Sequence, residues 1–194
     1  MPVHKAQSTP GFRTLNPVAV LRIENADGRV LWQYGEETHT YQRRLILEPA
    51  LAYIMTNILA DNVARAPAFG RGAPLELSRP AAVKTGTTND NRDSWTIGYT
   101  PQIVTGVWVG NNNNHSMTDV TGTTGAAPIW YAIMEYLHAR DALPRREWER
   151  PATVVERVVC EISGLLPTRY CPQTRELFYV DPQRGIDTQP TRAD

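Results

Sequence analysis

The 194 residues carry twenty basic and twenty acidic side chains, a formal net charge of zero, which disfavours a nucleic-acid partner because such proteins display a basic excess or stripe. Apolar residues make up 41% and charged residues 21%, a globular rather than a disordered balance. No apolar run approaches the ~20 residues of a membrane-spanning helix, and the opening MPVHKAQSTPGFRTLNP lacks the apolar core of a secretory signal.

Residues 1–16 are polar and Pro-bearing and are expected to be poorly ordered. Val18–Glu24 (VAVLRIE) and Arg29–Tyr34 (RVLWQY) alternate around Asn25-Ala26-Asp27-Gly28. Asp-Gly between such runs predicts a β-hairpin, because both residues tolerate positive φ. Leu51, Ile54, Met55, Ile58, Leu59 and Val63 repeat at helical spacing behind Pro49, which predicts a helix ending near Ala66, before Pro67. Pro67–Pro80 reads as a loop.

Three strand-like runs come next: Ala81–Thr87, Ser94–Tyr99 and Ile103–Gly110. The short links NDNRD and Thr100-Pro101 between them predict an antiparallel meander. A helix from about Pro128 to Ala139 should follow, with Ile129, Ile133, Tyr136 and Leu137 on one face. The composition changes after Pro151: Val154–Cys160 suits one more strand, and from Asp181 onward the chain has the composition of a tail. The expected organisation is residues 1–16, a domain over 17–150, and a small appended segment over 151–194.

Cys160 and Cys171 lie eleven apart with no histidine close enough in sequence to complete a zinc tetrad, and no metal or other cofactor is expected. A disulfide and two free thiols are both open. Asn111–Asn114 with His115 lacks the carboxylates a hard cation wants and reads as a polar turn. Thr121–Gly125 lacks the Gly-Lys-Ser/Thr ending of a phosphate loop and is also assigned to a turn; its likeness to TGTT at 85–88 is taken as coincidence. Arg92 and Asp93 are assigned to a local ion pair or turn cap, and Trp95, Tyr99 and Trp108 to core or sheet-face packing. His39 and His138 are placed on the surface.

Of the twenty basic residues only Lys5 and Lys84 are lysines, and Lys84 stands where the apolar AAV breaks into KTGTT. On a strand Lys84 and Gly86 point one way, Thr85 and Thr87 the other. Gly86 removes a side chain and lets something approach the backbone. A cation, several hydroxyls and a bare backbone suit an extended anionic ligand lying along a strand edge. An edge lysine that discourages aggregation is the plain alternative, and K-T-G alone leaves both open.

The longer stretch carries more. PAAVKTGTTNDNRDSWTIGYTPQIVTGVWVGNN (80–112) resembles the third signature and following hairpin of penicillin-binding transpeptidases. The resemblance extends upstream to ALAYIMTNILADNVARAPAFG, downstream to TGAAPIWYAIM, and into VVCEISGLLPTRYCP near the C-terminus. It covers roughly residues 17–180 and is to the C-terminal half of the transpeptidase domain of class A penicillin-binding proteins. The fold it implies is α+β, a partial β-lactamase/transpeptidase-like architecture of antiparallel sheet with flanking helices.

The roles it implies follow position by position. Lys84 falls on the lysine that sets the electrostatics of the site and assists proton transfer. Thr85, Gly86, Thr87 and Thr88 fall along the substrate-binding strand, with the Thr85 and Thr87 hydroxyls near the terminal carboxylate of a D-alanyl-D-alanine stem peptide or of a β-lactam. The Thr87 backbone N–H falls on one half of an oxyanion hole.

The chemistry of this fold also needs a serine in S-x-x-K and a second S-x-N element. Pro2 and Ala81 stand three before the two lysines, so S-x-x-K does not occur. The five serines are followed two places on by Pro, Pro, Thr, Thr and Leu, and Tyr-x-Asn is absent too. The expectation is therefore part of a longer D,D-transpeptidase, inactive alone. Its parent would add a serine nucleophile, a glycosyltransferase domain and a membrane anchor, and would cross-link peptidoglycan outside the cytoplasmic membrane. The missing half is a further expected partner, and its absence should leave apolar sheet surface uncovered. The alternatives are a serine β-lactamase fragment and a non-catalytic envelope module that binds stem peptides or another protein.

Overall fold

The computed structural model describes residues 20–35 and 47–191; the predictions for residues 1–16 and for His39 lie outside them. The chain divides into two units, 1–49 and 50–194. In the first, β1 (Arg22–Glu24) and β2 (Val30–Gln33) pair antiparallel as the predicted hairpin. Its turn differs from the one expected. Only Gly28 has positive φ (78°), the Asn25 Oδ1 accepts from the Arg29 N–H at 2.8 Å, and the register shifts between Ile23 and Glu24. This is a bulged turn with one left-handed residue, not a two-residue turn with two.

In the second unit the single helix predicted over 51–66 is two. Helix α1 spans Pro49–Ala60 and α2 spans Asn62–Phe69. Asp61 between them is extended, and its carboxylate accepts from the Val63 and Ala64 N–H groups at 2.8 and 2.9 Å. An N-cap here outweighs continued apolar periodicity. Arg65 reaches back to the Leu59 carbonyl and donates to the Leu75 carbonyl at 3.0 Å, so its guanidinium satisfies an orphaned carbonyl at the end of α1. Pro67 lies inside α2 rather than after it. It occupies the last turn, where one N–H is lost, and the helix closes three residues on, at Gly70 (φ 80°).

The meander forms as predicted: β3 (Ala82–Thr87), β4 (Asp93–Tyr99) and β5 (Val104–Gly110) pair antiparallel in that order. In the NDNRD link, Asp90 and Asn91 take φ of 60° and 51°, which Asp and Asn tolerate better than most residues. Asp93 caps this turn, its N–H donating to the Thr88 hydroxyl at 2.8 Å, and Arg92 pairs with Asp90 at 3.3 Å.

One face of the sheet is covered by α3 (Ala127–Arg140), which enters from a π-helical turn at Gly122–Ala126. The face of α3 that packs is not the predicted one. Ala127, Trp130, Met134 and His138 are buried, while Ile129, Ile133 and Tyr136 are exposed. The sheet selects that face through two features distant in sequence. A Cβ at Gly98 would sit 2.4 Å from Trp130 Cζ2, so only glycine leaves room for the indole. His138, expected at the surface, is buried, with Nδ1 2.7 Å from the Met134 carbonyl and Nε2 3.0 Å from the Thr100 hydroxyl. Since a carbonyl only accepts, Nδ1 carries a proton and donates it to Met134. Leu75, Leu77, Ala81, Val83 and Val107 complete this core.

The remaining strands, β6 (Val154–Cys160), β7 (Gln173–Asp181) and β8 (Ile186–Asp187), form a separate sheet. Val154 and Tyr179 from it pack with Ala50 at the start of α1. The expected tail after Asp181 is partly ordered: β8 pairs with β7, and the Thr188 hydroxyl donates to the Tyr179 carbonyl at 2.8 Å. Cys160 and Cys171, left open by the sequence, form a disulfide closing the β6–β7 loop.

Candidate functional site

Among the described residues β3 pairs only with β4, so one flank of the strand is free. The phase of the ladder says which backbone groups face that flank. The Thr88 N–H donates to the Asp93 carbonyl at 3.1 Å, and alternation along an antiparallel pair makes Gly86–Trp95 and Lys84–Ile97 hydrogen-bonded pairs as well. The β4–β5 link agrees: the Thr100 N–H donates to the Ile103 carbonyl at 2.8 Å, which turns the alternate residues Trp95 and Ile97 toward β3. Val83, Thr85 and Thr87 therefore present their N–H and C=O groups to the free flank.

Lys84 lies on this edge, exposed, its Nζ donating to the Thr85 carbonyl at 2.8 Å. No carboxylate among the described residues pairs with it, so its charge is available at the flank. The Thr85 hydroxyl makes no hydrogen bond among the described residues. Gly86 is open on its side-chain side except for Trp95 Cβ, which a Cβ there would meet at 3.6 Å. The Thr87 hydroxyl is engaged, accepting from the Gly122 N–H at 2.9 Å. Thr88 is tied into the turn, donating to the Asp93 carboxylate at 2.9 Å. Of the five predicted positions, Lys84, Thr85 and Gly86 thus stand open, and Thr87 offers its backbone.

A groove of roughly 300 Å³ runs beside the start of the edge, lined by Val83, Lys84 and Thr85 on one side and by Ile58, Leu59 and Arg65 of α1 and α2 on the other. Burial draws the Arg65 guanidinium below its ordinary value, against Asp61 and Glu76, which raise it. The opposite face of the sheet, on the Lys84 side, carries Trp95, Ile97, Val104 and Trp108, each at least 41% exposed. Trp95 and Trp108 belong to the sheet face, as expected, and not to the core; the Trp108 indole N–H donates to Asp93 at 2.8 Å.

Sequence reasoning missed one part of the site. TGTT at 85–88 and TGTTG at 121–125, taken as unrelated, meet in space: Gly122 rests on Thr85, where a Cβ would lie 2.8 Å from Thr85 Cβ. The glycine and hydroxyl content of both segments was the available signal.

Residues 150–194 match the family model for the penicillin-binding protein 1A C-terminal domain. Over 161 residues the chain is 30% identical to penicillin-binding protein 1A of Clostridium tetani, covering 81% of this chain and 19% of that protein. It is 36% identical over 127 residues to penicillin-binding protein 1A of Neisseria meningitidis, covering 65% and 16%. The fold is similar to that of penicillin-binding protein 1A from Haemophilus influenzae, with a TM-score of 0.61 and 18% identity over 92% of this chain and 30% of that one. The described sheet is antiparallel, with the K-T-G segment on its free edge and α3 packed on one face. The chain belongs to the class A penicillin-binding protein family and corresponds to the C-terminal part of its transpeptidase region. It spans about a fifth of the length of the Clostridium relative.

Proposed function

We propose that this chain supplies the carboxylate-recognition and oxyanion wall of a peptidoglycan D,D-transpeptidase. A D-alanyl-D-alanine stem peptide, or a β-lactam in its place, lies antiparallel along the free flank of β3. Lys84 provides the positive field for the terminal carboxylate, and the Thr85 hydroxyl donates to it. The Thr87 N–H, on the same flank, donates to the oxygen that becomes negative in the tetrahedral intermediate; this contact is worth most where charge develops. Thr88 ends the binding edge at the turn.

The observation that supports this reading is the free flank itself: the backbone groups of Thr85 and Thr87 face it on either side of Gly86, beside a lysine without a carboxylate partner among the described residues. The 194 residues contain no S-x-x-K, so in this reading the acylated serine belongs to polypeptide outside them. The parent enzyme acts at the cell envelope on the outer face of the cytoplasmic membrane. Among the described residues no helix is long and apolar enough to cross a membrane.

Two measurements on the purified chain test the proposal. Labelled penicillin should leave no covalent adduct; a stable serine-linked adduct overturns the assignment of the nucleophile. Calorimetry with an N-acylated peptide ending in D-Ala-D-Ala should give millimolar binding, weakened about tenfold or more by Lys84→Ala. Affinity indifferent to that substitution counts against the carboxylate role.

A further inference from the structure

The Thr85–Thr87 edge has one unpaired flank and a glycine at its centre, a combination that by itself leaves the direction of its N–H groups loosely set. The covered face beneath it carries a polar patch instead of apolar core. Thr85 and Thr87 of β3 lie opposite Thr96 and Ser94 of β4, and both β4 residues are completely buried. Their hydroxyls are spent on one object, the turn that leads into α3. Ser94 Oγ donates to the Thr121 carbonyl at 2.8 Å and accepts from the Ala126 N–H at 3.1 Å. Thr96 Oγ1 donates to the Gly122 carbonyl at 3.1 Å, and the Gly122 N–H donates to Thr87 Oγ1 at 2.9 Å.

Gly122 is therefore held on both its backbone polar groups, one by each strand of the β3–β4 pair. A Cβ there would lie 2.8 Å from Thr85 Cβ and 3.0 Å from the carbonyl oxygens of Gly86 and Trp95, so the peptide sits directly on the seam between the strands. The turn is rigid on its own account: the Thr121 and Thr124 side chains and N–H groups cap each other at 2.9 and 3.3 Å. Beyond it the buried Trp130 fixes the turn to the core.

We propose that the turn at Thr121–Ala126 is the positioning element of the edge. Through the Thr87 hydroxyl it fixes the backbone of Thr85–Thr87, and with it the direction of the Thr87 N–H and the Thr85 hydroxyl toward a ligand carboxylate or oxyanion. Thr87, Ser94, Thr96 and Gly122 are positioning residues. The Thr87 side-chain oxygen is a strut, accepting from the Gly122 N–H, while the amide of the same residue faces the ligand flank. The inference rests on the carboxylate reading proposed above and adds to it the element that makes the edge competent.

The experiment uses the whole 194-residue chain, isotope-labelled, with Thr87→Val, Thr87→Ser and Thr96→Val. Val keeps the size and removes the hydroxyl; Ser restores it. Residual dipolar couplings report the Thr85 and Thr87 N–H directions in the free protein, and titration with an N-acylated D-Ala-D-Ala peptide reports affinity. The expected result is altered couplings at Thr85 and Thr87 and about tenfold weaker binding in Thr87→Val, with both recovered in Thr87→Ser. Thr96→Val should act in the same direction. Unchanged couplings in Thr87→Val, or failure of Thr87→Ser to recover them, overturns the positioning role whatever the peptide does. If the unsubstituted chain binds no peptide, the carboxylate reading falls, and the couplings still decide whether the turn orients the edge.

Discussion

Gly98 and His138 show how single residues decide which way α3 faces. The apolar spacing of Ile129, Ile133 and Tyr136 is as helical as that of Trp130, Met134 and His138, and nothing local separates the two stripes. The choice is made across the sheet, by the hole at Gly98 and by the Thr100 hydroxyl, 38 residues from His138. Lys84 was legible for the opposite reason: its meaning lies in its immediate neighbours, Thr85 and Gly86, and in the strand that carries them. Gly98→Ala places a methyl 2.4 Å from Trp130 Cζ2 and 2.8 Å from the Ala82 carbonyl oxygen. It is expected to destabilise the chain by about 1–3 kcal/mol through overpacking, read as a lower urea midpoint with an unchanged slope. An unchanged midpoint would mean that Trp130 has slack that the packing described here does not allow.

At the scale of elements, strands and their links were read well because alternation and turn residues are local signals. The meander and the first hairpin both formed where expected. The long helix was divided by a competition that periodicity does not see. Asp61 offers its carboxylate to two N–H groups, and Arg65 takes up the Leu59 carbonyl, so a break costs little. The C-terminal sheet was half legible: β6 was expected, whereas β8 lies in a stretch whose Pro, Gln and Thr content suggested a tail. The disulfide joins Cys160 at the end of β6 to Cys171 just before β7, closing a loop of eleven positions. Its removal, by reduction or by Cys160→Ala with Cys171→Ser, should lower stability by about 2–4 kcal/mol through the freed entropy of the unfolded chain. Thermal unfolding with and without reductant measures this, and identical midpoints would show that the loop is held by its other contacts.

For the molecule as a whole, α3 covers one face of the sheet. The other is packed at its Tyr99 end, where the Tyr99 hydroxyl lies 2.8 Å from Thr56 Oγ1 and the ring meets Trp148 edge-on, and is open beyond it. In the open part, Trp95, Ile97, Val104 and Trp108 stand exposed around Gly86 and Gly106. Burying such a surface is worth roughly 25 cal/mol per Å² of apolar area, so the isolated chain should associate. Sedimentation should show a concentration-dependent shift that Trp108→Thr with Val104→Thr reduces; a monomer at all concentrations would show that this face is stable in water. This same face borders Lys84, which places the charge of the proposed site at the rim of an exposed apolar surface.

The central claim is that the flank of β3 at Thr85–Thr87 holds a D-alanyl-D-alanine carboxylate. It is tested most directly by following every backbone amide of the labelled chain during titration with an N-acylated peptide ending in D-Ala-D-Ala, beside the same peptide with an amidated C-terminus. The account predicts saturable shifts centred on Lys84–Thr88 and reaching Gly122, absent for the amide and absent in Lys84→Ala. Shifts located elsewhere, or identical for acid and amide, would contradict it.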